Sequence, residues 1–524
     1  MQLAEIRELD GPNLFLLEPA IKLELILQPE ETTAELATRF APGMTNLGAA
    51  VKAALVDIYR RASLPEPRVV IRRMDDVDHI AIAWSWSRRQ WAVDLAHTLF
   101  KVACGVLPIN HVEVALPPPV ADAEDTPLMI PDSRRRAIAV AVTGTNGKTT
   151  TTRLIAHIAR TAGFRTGWNS SSGIYVEGEE IEAGDYSGPS GARRVLEDPT
   201  VGFAVLETAR GGILLRGLGF EHNDVSVFTN VSADHLELQG VRTLQTLAEV
   251  KSVVCKVTKP GGSVVVNAAD PLVMSVTEHV SAPRTLFARN PGSDVLAKHR
   301  EAGGTAIRQI DNAIVVSRGD NEVARFPIDR IPIAFGGRAG HMVENAMAAI
   351  GAALGAGIQP NHVADGLATF SNDSAHNPGR LNLYRINGAT VVLDFAHNED
   401  GLRHLIDFAS PDVGPDGRLI AIIGTAGDRT DSSLFELGRM AAERADIVIA
   451  KGTEHYLRGR SPGDLMSRYR SGAEAGGVKN YLESASEITA MQDALTMAAP
   501  GDVIVIMAQE HVARLADMLE AQRD

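Results

Sequence analysis

Residues 140–150 read Val-Ala-Val-Thr-Gly-Thr-Asn-Gly-Lys-Thr-Thr, and the rest of the chain is interpreted from this stretch. The run Ala137–Val142 is small and β-branched, which is the composition of a strand buried on both faces. It breaks at Gly144, and the spacing of Leu154, Ile155 and Ile158 then predicts a helix. A strand, a glycine turn and a helix N-terminus make an anion site. Backbone N–H groups freed at the turn point outward, and the helix dipole adds roughly half a positive charge. Lys148 supplies a full charge for β- and γ-phosphates, and the Thr149 hydroxyl can hold Mg²⁺. The expected phosphate-binding residues are therefore Gly144, Thr145, Asn146, Gly147, Lys148, Thr149 and Thr150. Only Thr145 and Asn146 separate the two glycines, where the strict P-loop pattern has four residues.

Downstream, apolar runs recur between helical segments. Gly202–Glu207, Val225–Asn230 and Ser263–Asn267 read as strands, which implies right-handed crossovers and a parallel sheet. Ligands collect at the carboxyl ends of such strands, where Thr143, Glu207 and Asn230 all fall. Upstream, Met1 to about Pro119 forms a first unit. It has a turn at Asp10-Gly11-Pro12-Asn13 between strand-like runs Ala4–Leu9 and Ile21–Leu27, and helices near Leu47–Arg61 and Trp91–Val106. Trp84, Trp86 and Trp91 read as core rather than as a ligand platform. Pro117-Pro118-Pro119 and the residues up to Asp132 read as a linker. The stretch 291–332 is shorter in period and β-like, and His341–Leu354 is a helix. The polar run Ser371–Pro378 reads as a hinge. A third unit opens at Gly379-Arg380, with strands Thr390–Leu393, Leu419–Ile423, Ile447–Ala450 and Val503–Met507 alternating with helices.

Bulk properties narrow the function classes. The 524 residues carry a net charge of −14, which argues against general nucleic-acid binding through a basic surface. Two cysteines are too few for a disulfide framework. No apolar run is long enough to span a membrane and no signal peptide is readable, so a cytoplasmic protein is expected.

Phosphoryl transfer needs metal, positive charge and geometry more than covalent help. Glu207, at a strand end beside the phosphate turn, is the expected Mg²⁺ ligand. His235 could join it, or could be one more satisfied histidine among 15. Lys251 sits on a helical stretch, Thr246–Val257, with mostly apolar neighbours. A snorkelling lysine and a costly buried one are both open readings. In the third unit, Asp394-Phe395-Ala396-His397-Asn398 follows a strand end, as does Gly424–Arg429, and Leu457–Asp464 places two arginines in a loop. Each could be a plain connection; their shared position after strands favours a second crevice-facing set.

Taken together, seven stretches resemble Mur ligases in their order along the chain. They are Thr143–Thr150, Leu206–Ile213, Thr229–Leu236, Val250-Lys251-Ser252, Asn377–Leu381, Asp394–Asn398 and Leu457–Asp464. The Arg-Gly-Gly and Arg-Gly-Arg stretches resemble more closely the Mur-ligase half of cyanophycin synthetases, and Leu9–Asn13 resembles their N-terminal domain. The resemblance implies an α/β, three-domain Mur-ligase-like architecture. Its parts are an N-terminal α+β domain (1–130), a central P-loop parallel-sheet ATPase domain (131–374) and a C-terminal Rossmann-like domain (375–524).

The resemblance also implies an ATP-dependent amide ligase acting through an acyl phosphate, with ATP and Mg²⁺ as cofactors. Lys148 and Thr149 would hold phosphates and Mg²⁺, and Glu207 and His235 metal. A carbamylated Lys251 would bind a second Mg²⁺. Asn345 would contact adenine, and Arg380 and Asp394 the nucleotide. Arg210, His397, Asn398, Arg458 and Arg460 would face the substrates, an amino-acid amine and a carboxylate-bearing peptide-like acceptor. Murein- or pseudomurein-type peptide ligation and a non-catalytic nucleotide-binding module are the alternatives.

Two departures matter. Cyanophycin synthetases carry an ATP-grasp domain, but here one proline-rich linker leads straight into the phosphate turn. The chain is thus expected not to build polymer unaided, and a separate ATP-grasp enzyme and a homo-oligomer are the expected candidate partners. Lys451–Tyr456 also lacks the acidic spacing expected before Arg-Gly-Arg, which leaves the incoming amine open.

Overall fold

The computed structural model describes residues 1–116, 125–233, 239–290 and 292–523. Of the linker expected at 117–132, residues 117–124 lie outside the described residues, while Ile130 donates its amide to the Gly219 carbonyl at 2.9 Å. Three sheets are present among the described residues, and the chain packs as two compact units. The first comprises Met1–Arg308, Val315–Ala324 and Met347–Val363; the second comprises Gln309–Ile314, Arg325–Ala346 and Ala364–Asp524.

The first unit begins with an antiparallel sheet of β1 (Gln2–Leu9), β2 (Ala20–Ile26), β3 (Val69–Arg73) and β4 (His79–Ser85), ordered β1-β2-β4-β3. The sheet packs against the helices Leu47–Arg61 and Arg89–Ala103, and Trp84, Trp86 and Trp91 are buried in the shared core. Tyr59 meets Trp91 edge to face at 5.1 Å between ring centroids. Strands β3 and β4 are not legible in the sequence. Arg72-Arg73 and Asp75-Asp76 break the apolar run, and Arg72, Asp75 and Asp76 pair with residues 242–249 rather than within the sheet.

The next sheet is built from β5 (Ile138–Thr143), β6 (Thr166–Ser170), β7 (Gly173–Val176), β8 (Glu179–Ala183), β9 (Phe203–Glu207), β10 (Asn223–Phe228), β11 (Thr258–Asn267), β12 (Arg284–Ala288), β13 (Thr305–Ile310), β14 (Ala313–Arg318) and β15 (Asn321–Pro327). Its order is β15-β14-β13-β12-β11-β10-β5-β9-β6-β7-β8. Seven of these strands, β13 to β6 in that order, pair in parallel. The register sets Phe228 opposite Thr143 and Glu207 opposite Val142, so three strand ends meet at one edge. Val140 and Val142 are fully buried, each worth about 1.5–3 kcal/mol.

The N-terminal sheet docks on this layer through polar contacts. Asp10 donates its amide to the Arg216 carbonyl at 2.7 Å, and Arg72 pairs with Glu249 at 2.6 Å. Asp75 accepts from the amides of Arg242 (2.7 Å) and Thr243 (3.0 Å) and from Thr246 Oγ1 (2.7 Å), at the N-terminus of the helix Leu244–Lys256. Burial alone would push the Asp75 carboxyl up. These donors outweigh it and hold the group below its ordinary value. Its stabilising effect is therefore present above the unfolded carboxylate range and is lost as pH falls through the folded value. Asp75→Asn should cost about 1 kcal/mol at pH 7. Denaturant midpoints of variant and wild type should converge as pH is lowered, and a gap that does not change with pH would count against this assignment.

The second unit holds β16 (Asn382–Ile386), β17 (Ala389–Asp394), β18 (Leu419–Ile423), β19 (Ile447–Lys451), β20 (Asn480–Ser484) and β21 (Val503–Met507), ordered β16-β17-β21-β18-β19-β20. All but β16 run parallel, with apolar cores on both faces. The chain returns from β20 to place β21 between β17 and β18, and in parallel sheets the strand ends beside such a reversal are where ligands bind. No helix among the described residues is long and apolar enough to cross a membrane.

Candidate active site

The glycine turn at 144–147 follows from backbone geometry. Gly144 has φ +147°, and a Cβ there would lie 1.9 Å from Thr229 Oγ1, so only glycine fits. Gly147, in the left-handed region at φ +85°, starts the helix Lys148–Thr161, and no side chain caps it. First-turn amides of a helix have no intrahelical acceptor, so this end suits an anion. The loop is held from the adjacent strand end. The Thr145 amide donates to the Asn230 carbonyl (2.9 Å), the Asn146 amide to Asn230 Oδ1 (2.8 Å), and Thr229 Oγ1 to the Asn146 carbonyl (2.7 Å). Lys148 Nζ donates to the Thr145 carbonyl at 2.8 Å, and Thr150 is buried.

Beside the turn lies an oxygen-rich group. Thr149 Oγ1 donates to Glu207 Oε2 at 2.9 Å and sits 3.3 Å from Ser171 Oγ. Glu207 is 1% exposed, and its carbonyl accepts from Asn169 Nδ2 at 2.9 Å. Two hydroxyls and a carboxylate are hard donors that fit Mg²⁺. Lys251, 4% exposed, donates from Nζ to the Gly144 carbonyl at 2.6 Å. The snorkelling alternative is thereby excluded, since the ammonium points inward at the turn. Arg210 opens the short helix Arg210–Arg216, three residues beyond Glu207. His235 lies outside the described residues.

The remaining candidates lie in the second unit. Asn345 is buried on the helix Gly340–Gly355, with Nδ2 3.7 Å from Met342 Sδ. Asp394, ending β17, accepts from the Leu381 amide at 2.9 Å; burial pushes its carboxyl up, opposed by Arg380. The Arg380 guanidinium lies over the Phe395 ring at 4.5 Å. His397 Nδ1 is 3.1 Å from the Phe395 carbonyl, while the His397 carbonyl accepts from Thr425 Oγ1 at 2.8 Å. Asn398 Oδ1 accepts from the Gly401 amide at 2.8 Å and so caps the helix Glu399–Ala409.

The two loop arginines differ in what they touch. Arg460 donates to the carbonyls of Gly427 (3.0 Å) and Arg429 (3.1 Å) and pairs with Asp431 and Asp464, locking two loops together. Arg458 is exposed over the Tyr456 ring at 5.6 Å, with φ +49°, a left-handed backbone that costs a non-glycine residue about 1–2 kcal/mol.

Four contributors escaped the sequence reading. Ser171 sits in a serine run with no motif around it. Lys451, Glu487 and Glu510 form a buried network behind the loops. Glu510 follows β21, so the rule that singled out Asp394, a carboxylate just past a strand end, would also have found it.

Comparison with known proteins is consistent along the chain. A family model described as the Mur ligase middle domain matches residues 142–353, and one described as the Mur ligase, glutamate ligase domain matches residues 379–509. Cyanophycin synthetase of Synechocystis sp. is 38% identical over 386 residues, covering 73% of this chain and 44% of that protein. The chain thus spans less than half the length of that relative. The UDP-N-acetylmuramoyl-L-alanyl-D-glutamate–2,6-diaminopimelate ligase of Chlorobium phaeobacteroides is 27% identical over 423 residues, covering 75% of this chain and 78% of that one. A bifunctional folylpolyglutamate synthase/dihydrofolate synthase, solved with Mn, AMPPNP and L-glutamate, superposes with TM-score 0.54 at 19% identity, covering 74% and 91% of the two chains.

Proposed function

The chain belongs to the Mur ligase family, and from that premise we propose that it is an ATP- and Mg²⁺-dependent carboxylate–amine ligase that releases ADP. The observation that carries this reading is the convergence of Lys148, Thr149, Glu207 and Lys251 on the Gly144 turn. In the proposed reaction an acceptor carboxylate oxygen attacks the γ-phosphorus of ATP and ADP leaves, giving an acyl phosphate. An amino-acid amine then attacks the acyl carbon, losing a proton, and inorganic phosphate departs with the C–O electron pair. Lys148 and the first-turn amides hold and orient the phosphates, which is most of what such a transfer asks of a protein. Mg²⁺, held by Thr149 and Glu207 with His235 and a carbamylated Lys251 as further proposed ligands, would neutralise charge on the phosphate oxygens.

Asn345, Arg380 and Asp394 are assigned to the nucleotide, and Arg210, His397, Asn398, Arg458 and Arg460 to the two organic substrates. Working boundaries are 1–130, 131–374 and 375–524, and the setting is the cytoplasm. The similarity to cyanophycin synthetase favours an amino-acid-derived acceptor. Partner proposals are a separate ATP-grasp enzyme that supplies this acceptor and a second copy of the chain. Murein-type peptide ligation is the second reading, favoured by the similarity to the diaminopimelate ligase across most of its length.

The test is a panel of L-amino acids and short peptides, scored by mass for ATP-dependent condensation. With an oxygen-labelled acceptor carboxylate, label should appear in the released phosphate. Condensation without label transfer would remove the acyl phosphate; no condensation with any pair would remove the ligase reading.

A further inference from the structure

The second compact unit carries a buried hydrogen-bond chain that the roles above do not use. Glu487 is fully buried at the start of the helix Glu487–Met497. Its Oε1 accepts from Lys451 Nζ (2.7 Å) and from the amides of Gln509 (2.6 Å) and Glu510 (3.0 Å), and its Oε2 accepts from the His511 amide (2.8 Å). Three consecutive amides around one carboxylate fix the backbone just past β21. That backbone aims Glu510 at the loop after β19. The Glu510 side chain is 2% exposed and accepts from Thr453 Oγ1 (2.5 Å), the Glu454 amide (3.0 Å) and the His455 amide (2.7 Å). Lys451 also donates to Gln509 Oε1 at 2.8 Å, and Gln509 Nε2 donates to the Ala396 carbonyl beside His397. One network therefore ties together the loops after β17, β19 and β21.

We propose that Glu510 is a positioning residue for the incoming amine: it holds residues 453–456 so that Arg458, stacked on Tyr456, receives the α-carboxylate of the amino acid being joined. This rests on the ligase reading above and names the part of the substrate that the loop reads.

Two observations point this way. The loop is fixed at both ends, by Glu510 at Thr453–His455 and by the Gly427 amide donating to the Tyr456 carbonyl at 2.8 Å, yet Glu454, His455, Tyr456 and Arg458 are exposed. A surface loop held this firmly, with Arg458 in a left-handed conformation, keeps a shape that its own preferences would not select. The two arginines also divide their work. Arg460 is committed to carbonyls and to Asp431 and Asp464, whereas Arg458 presents a planar guanidinium at the surface, the geometry that grips a carboxylate with two parallel hydrogen bonds.

The test uses the full chain with saturating ATP and acceptor, varying whichever L-amino acid condenses fastest and, separately, its carboxamide. Glu510→Gln keeps the shape but loses charge and acceptor capacity, and should raise KM for the amino acid about tenfold while kcat moves less than about threefold. KM for the carboxamide should already be high in wild type and should change little in the variant. Thr453→Val removes one donor and should shift the same KM in the same direction by a smaller factor, and it serves as the readout if Glu510→Gln does not fold. Trypsin cleavage after Arg458 reads the loop directly and should be faster in both variants. Faster cleavage with unchanged KM overturns the proposal, as does a fall in kcat alone. A wild-type chain that condenses nothing fails the ligase reading itself, a result visible before any variant is made.

Discussion

Lys148→Ala should lose at least about a thousandfold in ATP-dependent condensation, equivalent to ~4 kcal/mol of transition-state stabilisation. The size of the effect follows from what the site contains. Partial charges from helix amides, the proposed Mg²⁺ and one full charge from Lys148 together balance the negative charge gathering on the transferred phosphoryl group, and removing Lys148 takes away the one full charge that the protein itself supplies from the turn. The fold should not suffer, because among the described residues Lys148 Nζ bonds the Thr145 carbonyl within its own loop. The thermal midpoint should move by no more than about 2 °C. Phosphate release and thermal melting measured on the same preparation separate the two effects. A variant that turns over ATP at the wild-type rate would remove the phosphate site from this turn.

Lys251→Ala should cost about a hundredfold, and the manner of its rescue distinguishes two chemistries. Its ammonium is buried and donates at 2.6 Å to the carbonyl of Gly144, the residue whose backbone shapes the turn. A buried ammonium with a carbonyl partner is tolerable; a carbamate at the same nitrogen would instead offer an oxygen ligand to a cation near Glu207. Acetate or formate diffusing into the space left by the side chain should restore part of the activity if the carbamate form works in catalysis. Loss without rescue assigns Lys251 as an ammonium that braces the turn. A variant as active as wild type would eliminate both roles.

The legibility of the molecule varied with how locally each feature is specified. The strands Leu419–Ile423 and Val503–Met507 and the helix Leu47–Arg61 were readable to the residue, because each is an unbroken apolar run or a clean helical period. Strands β6, β16 and β20 were not, since polar Asn169, Asn382 and Glu483 interrupt them, Asn169 and Glu483 bonding to distant Glu207 and Arg470 and Asn382 to the preceding turn. Among the proposed site residues, Lys148, Thr149 and Glu207 were picked out from a turn and a strand end, and the structure sets Thr149 against Glu207 and Lys148 on the turn. Asn398 was singled out as facing substrate and caps a helix with its side-chain oxygen. Arg460 was grouped with Arg458, although it spends its hydrogen bonds on neighbouring loops. Neither set of bonds could be read beforehand, because a polar side chain in a loop has several suitors and sequence shows only those nearby.

What the sequence determined alone was the alternation of strand and helix, the glycine turn between β5 and the helix Lys148–Thr161, and the family to which its motifs belong. Each is set by hydrophobic period or by backbone freedom at a few consecutive residues. Tertiary structure decided which strand ends became neighbours, that Lys251 turns inward to the Gly144 carbonyl, and that Glu487 and Glu510 stand behind the loop bearing Arg458. Those outcomes depend on sheet order, and a buried charge settles where distant backbone donors and acceptors can replace the water it has lost.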